Sequence, residues 1–155
     1  MKTIIKLFLL ALTLVVSSQT LANDNFTFGI GAGSFYSGIG VNAGIQSKTD
    51  LKYVSIGCVS YSSLNGEACG AGIGWVKTDL FSSTNNKHGT SVYLGIVGSE
   101  NTYFNNDPIY GLGLGYHYFF NGISNSGVNL GFTLVAGNEN DGLDIGGMLQ
   151  AGYQF

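Results

Sequence analysis

Few side chains in this sequence are of a type that does chemistry. His117 is the one best placed for it. In the stretch Tyr110–Tyr118 it falls in phase with Gly111, Gly113 and Gly115, opposite in parity to Tyr110, Leu112, Leu114, Tyr116 and Tyr118. Imidazole titrates near neutrality, so a histidine on an inward face is a natural general base. Hydrolytic use would also need a nucleophile and an orienting carboxylate within reach. Asp144 has the matching parity but falls near the opposite end of its segment, so a His117–Asp144 pair is not expected and no catalytic set is assigned. Gly29-Ile30-Gly31-Ala32-Gly33 has phosphate-loop spacing, but no lysine follows it and no helix opens after it. Cys58 and Cys69 could in principle bind a metal. Zinc wants four ligands, however, and His88 and His117 lie in other segments. Neither a metal nor a cofactor is expected.

The elements around these residues begin with an export signal. Lys2 and Lys6 precede an apolar run, Leu7–Val16, and then Ser17-Ser18-Gln19-Thr20-Leu21-Ala22. That pattern predicts a signal peptide over 1–22, cleaved after Ala22, and the run is too short for a spanning helix. The mature domain, 23–155, then holds all 25 glycines, all nine acidic residues and four of the six lysines, a formal charge of −5. There is no arginine and no basic stripe, which excludes a nucleic-acid partner. The many aromatics argue against disorder, and no 20-residue apolar run follows Ala22. An even cysteine count in an exported chain favours a Cys58–Cys69 disulfide.

The mature sequence runs in strides of two, the mark of strands with two unlike faces. Leu143, Ile145, Gly147, Leu149, Ala151, Tyr153 and Phe155 alternate with Asp144, Gly146, Met148, Gln150, Gly152 and Gln154. Similar alternation occurs at 26–33, 39–46, 54–59, 70–76, 110–118 and 128–134. An eighth strand falls over 90–98, with Val92, Leu94 and Ile96 expected outward. Eight short segments with one apolar face and one small or polar face, separated by Ser-, Asn- and Gly-rich turns, predict an all-β fold, an antiparallel up-and-down transmembrane barrel. A soluble barrel is the alternative, but its outer surface would be charged rather than glycine-rich. The inward glycines make room for Tyr53, Tyr93, Phe119 and Met148 or else leave a narrow pore. Eight strands favour a filled interior.

If Cys58 faces Cys69 across a hairpin, the same register sets Ile56 opposite Ala71, Val54 opposite Ile73, Lys52 opposite Trp75 and Asp50 opposite Lys77. It thereby joins a cation–aromatic and an opposite-charge pair. With both termini periplasmic, Phe26, Phe28, Trp75, Tyr116, Tyr118, Tyr153 and Phe155 form one aromatic girdle. Phe35, Tyr36, Tyr61 and Tyr110 form the outer one.

The ending Leu149-Gln150-Ala151-Gly152-Tyr153-Gln154-Phe155 resembles the terminal strand of Gram-negative outer-membrane barrels. These end in Phe, with an aromatic two residues earlier, here Tyr153. The resemblance covers the last strand. It implies outer-membrane localisation, outer-membrane lipids as surroundings, and delivery by periplasmic chaperones and the barrel-assembly machinery that reads Tyr153 and Phe155. Some barrels of similar size are lipid A deacylases or acyltransferases. The deacylases carry His and Ser two residues apart on one strand, where this chain reads His117-Tyr118-Phe119. The expected function is a structural monomeric membrane barrel, with passage of small solutes as an extension. An outer-leaflet lipid-modifying enzyme and a small adhesive or ligand-binding surface protein are the alternatives.

Overall fold

The computed structural model describes residues 25–62, 66–80, 86–102, 105–139 and 142–155. The expected signal segment, 1–22, lies outside them. Eight antiparallel strands follow the chain order β1 (Asn25–Gly33), β2 (Gly38–Gln46), β3 (Asp50–Ser62), β4 (Gly66–Lys77), β5 (His88–Thr102), β6 (Asn105–Phe119), β7 (Gly127–Glu139) and β8 (Gly142–Gln154). Each pairs with its sequence neighbours, and β8 returns to β1 to close the barrel.

The register fixes the shape. Stepping between paired residues from Gln154 leads through Gly29, Asn42, Ser55, Gly72, Gly95, Gly111 and Gly137 to Asp144, ten residues along β8 from the start. With ~3.3 Å per residue and ~4.8 Å between strands, that shear tilts the strands by about 40°. Every member of this ring is polar or glycine, because successive residues alternate between the two faces of the wall.

The expected β3–β4 register holds from Asp50 to Cys58 and shifts by one residue beyond it, where Ser60 faces Ala68. Cys58 is bonded to Cys69, Val54 faces Ile73, Lys52 faces Trp75 and Asp50 faces Lys77. Both Lys52 and Lys77 lie over the Trp75 ring, at 5.7 and 5.5 Å. The charges pair differently from expectation. Lys77 meets Asp79 at 3.4 Å, while Asp50 accepts the Trp75 indole N–H at 2.9 Å.

Two expectations are corrected. Val92 and Leu94 face outward, but Ile96 is buried: it stands in the β-bulge where the β5–β6 register shifts between Ile96 and Gly98, and there the alternation breaks. Phe35 and Tyr36 do not join an outer girdle; both are 0% exposed. Only Tyr61 and Tyr110 of that set are exposed on the outer side. The reason is a short first hairpin. β1 and β2 have nine residues each, against 12 to 15 in the other strands. The connection between them, a single 3-10 turn at Ser34–Tyr36, folds into the barrel. Gly33 and Gly38, at φ 107° and 99°, and Ser37 in the left-handed region make that inward reversal.

Candidate functional site: the plugged lumen

The inward turn forms the centre of the core. Phe35 packs edge-on against Tyr53 at 4.5 Å and lies 5.5 Å from the His117 ring. Tyr36 occupies space that only glycine leaves free: a Cβ at Gly31 or Gly152 would come within 2.5 Å of its ring atoms. Gly74 does the same for Tyr53, and Gly72 and Gly95 for Tyr93. The glycine-rich face thus accommodates tyrosine rings and fills the lumen at this depth, as the filled-core expectation had it for Tyr53 and Tyr93.

Hydrogen bonds fasten the turn to strands all around the wall. The Ser34 and Thr133 hydroxyls are 2.7 Å apart, as are those of Ser37 and Ser55. The Tyr93 hydroxyl lies 3.1 Å from that of Ser37. Asn129 Nδ2 donates to the Tyr36 hydroxyl at 2.8 Å, and Asn129 Oδ1 accepts from Gln150 Nε2 at 3.0 Å. Asn42 Nδ2 donates to the Phe35 carbonyl at 3.2 Å. Towards the end carrying Asn25 and Phe155, Gln154 Nε2 donates to both Thr27 and Asn42. Among the described residues no lysine or carboxylate is buried, so the interior is polar without being charged.

His117 sits within this core. Its Nε2 lies 2.6 Å from Ser91 Oγ, a pair that strand periodicity alone does not reveal. Ser91 is two residues from Tyr93 on the inner face and opposite Gly115, whose missing side chain leaves room for the contact. The pair has the elements of a nucleophile and a base, but not the setting. His117 is fully buried, Phe35 packs beside it, and Nδ1 has no hydrogen-bond partner. Asp144 is exposed near the other end of the barrel and does not complete a triad. Buried beside Phe35, and with no carboxylate bonded to it among the described residues, the serine–histidine pair reads as a hydrogen bond of the core.

The other candidates resolve as follows. Glu67 lies beside the two cysteine sulfurs, a trio within 4.8 Å that sequence reading missed; with the sulfurs bonded to each other, neither is a free thiolate ligand. Phe155 stacks on Phe28 at 4.7 Å and contacts Tyr153 at 4.8 Å. Its N–H donates to the Phe28 carbonyl, and its own carbonyl accepts from Thr27 Oγ1. The terminal aromatics therefore clasp the β8–β1 seam, which has just four residue pairs. A hollow of about 580 Å³ on the outer wall is lined largely by apolar side chains such as Val41, Val54, Ile56, Ile73 and Leu94, and offers no nucleophile–base set. No family model, no curated protein and no solved structure matches the chain.

Proposed function

We propose that residues 23–155, exported behind a cleaved signal at 1–22, form a structural integral outer-membrane barrel whose lumen is plugged. One observation carries this reading: the fold is solvated inside out. Ile39, Ile56, Leu112, Leu114 and Ile145 stand exposed on the outer wall, and Leu149 is 80% exposed. The opposite face buries Thr27, Asn42, Ser91, His117, Asn129, Gln150 and Gln154 in a hydrogen-bonded network. In water such an apolar band would be an aggregation site. In a bilayer it is the required surface, and closure satisfies the backbone. Phe26, Phe28, Trp75, Tyr116, Tyr153 and Phe155 are exposed at the end carrying Asn25 and Phe155, where an interfacial girdle belongs. Folding would use periplasmic chaperones and the assembly machinery, with Tyr153 and Phe155 as the strand read.

The buried, carboxylate-free Ser91–His117 pair argues against the lipid-modifying reading. The test is cell fractionation with gel migration. The protein should pellet with outer membranes, resist mild proteolysis in detergent, and migrate differently before and after boiling. Recovery as a soluble periplasmic protein would overturn the proposal.

A further inference from the structure

The short first hairpin leaves the wall incomplete. With the tilt given above, each residue climbs about 2.5 Å along the barrel axis, and each step to the next strand about 3 Å. On that scale the β1–β2 turn sits about 15 Å above Gln154. The tips of the other outer hairpins sit at about 27 Å or higher. β1 stops pairing with β8 at Ala32–Ala151, and β2 stops pairing with β3 at Ile39–Cys58. Above those points, among the described residues, no strand lies between β8 and β3. The slot is two strands wide, about 10 Å of open wall.

The slot opens onto an interior unlike the one below it. Below the turn the lining mixes Thr27, Asn42, Ser55, Ser91, His117 and Asn129 with the buried Leu51, Tyr53, Val76 and Phe119. Above it, Ala68, Ile96, Ile109 and Val135 are buried, with Val97 packed on the core beside them. Asn106 reaches across the outer mouth to Ser60 Oγ at 2.9 Å and to the Gly66 carbonyl, tying β6 to the β3–β4 hairpin over this apolar region. The side towards β8 stays open. Gly142–Gly147 are exposed whatever their parity, and a Cβ at Gly146 would meet nothing closer than Val135 at 3.7 Å. The outer face of the same stretch, Leu143, Ile145 and Leu149, is strongly exposed and apolar. The slot therefore cuts through the apolar band, not through a water-facing rim.

We propose that this slot is a lateral entry for one hydrocarbon chain of an outer-leaflet lipid, which lies over the inward turn against Met148, Gly146 and Val135. The inference rests on the outer-membrane reading. That reading supplies the occupant, since acyl chains are what surround Leu149 and Ile145 at this depth. The apolar interior is continuous with that lipid-facing surface through the slot. Beyond the seam β8 stays paired with β7 but has no neighbour on its β1 side, and that edge offers N–H and C=O groups to the lipid's ester or amide linkage, which hydrocarbon alone would leave unsatisfied.

The test is photo-crosslinking of the refolded 23–155 chain in phosphatidylcholine vesicles carrying a diazirine on the acyl chain, with adducts mapped by peptide mass spectrometry. Adducts are expected on the outward Leu149 and Ile145 and also on the inward Met148 and Val135. The Gly146→Leu variant, which fills the open space, should lose the inward adducts and keep the outward ones. Adducts confined to outward residues in the parent chain would overturn the entry while leaving the membrane reading intact. Inward adducts that persist unchanged in Gly146→Leu would place the chain elsewhere and overturn it as well. Absence of adducts from both faces would overturn the membrane reading and the entry together.

Discussion

Removing the Tyr36 side chain is the sharpest perturbation of the plug. Tyr36 is fully buried, its ring lies on Gly31 and Gly152, and its hydroxyl accepts from Asn129 Nδ2 at 2.8 Å. Tyr36→Phe keeps the ring and removes the acceptor, leaving a buried amide hydrogen without its partner. That should cost about 1–3 kcal/mol. Tyr36→Ala also empties the space over two glycines that have no side chains to collapse into it, at a cost of about 3–5 kcal/mol. The two variants thus separate polar pairing from volume. Stability is measured by urea titration of refolded protein in vesicles, following Trp75 fluorescence and gel mobility together. Planar-bilayer conductance of the same preparations gives a second readout. The parent chain and Tyr36→Phe should be silent, and Tyr36→Ala should pass ions through the opened core. A Tyr36→Ala variant that is both silent and within about 0.5 kcal/mol of the parent, the range of an inconsequential surface change, would refute the plug. So would a parent chain that conducts as freely as the variant.

Deleting Phe155 removes the Phe28 stack and the N–H bond to the Phe28 carbonyl from a seam of four residue pairs. Membrane assembly should fall, with chaperone-bound or degraded protein in its place, and normal assembly would show that the terminal strand is not read. Replacing Cys58 and Cys69 by serine should lower stability by about 2 kcal/mol, the small end for a loop of this size, because strand pairing already closes the hairpin; the check is a urea titration against the oxidised parent. Ser91→Ala should destabilise the barrel by about 1–3 kcal/mol by orphaning His117 Nε2. A serine-directed fluorophosphonate should not label the parent chain, and labelling at Ser91 would contradict a sealed pair.

Period-two alternation was sufficient to read eight strands and most of their faces, because most inward residues are small or polar and most outward ones apolar. The two cysteines were sufficient for a register, since one cross-strand bond fixes every pair of an unbroken ladder. Alternation carries no information where the ladder breaks. The shift at Ile96–Gly98 turned Ile96 inward, against the parity of Val92 and Leu94. Nor does alternation register a turn that folds back into the barrel. Ser34-Phe35-Tyr36-Ser37 has the composition of an outer rim, and only the shortness of β1 and β2 beside their longer neighbours hinted at a different place. The Ser91–His117 contact needed the β5–β6 register, which no pair of cysteines fixed, and Glu67 was overlooked because a disulfide had already accounted for its neighbours.

The central claim, that the apolar face meets lipid and the polar face does not, is tested most directly by a nitroxide scan of β6 in vesicles. Single cysteines replace residues 110 to 118 one at a time, the native pair being bonded to itself. Relaxation by oxygen, which partitions into lipid, is compared with relaxation by a water-soluble nickel chelate. Labels at Leu112, Leu114 and Tyr116 should be open to oxygen and closed to nickel, while labels at Gly113 and Gly115, where the protein folds at all, should be shielded from both. Nickel reaching the labels at Leu112 and Leu114 as freely as oxygen does would put water against the apolar wall and contradict the account.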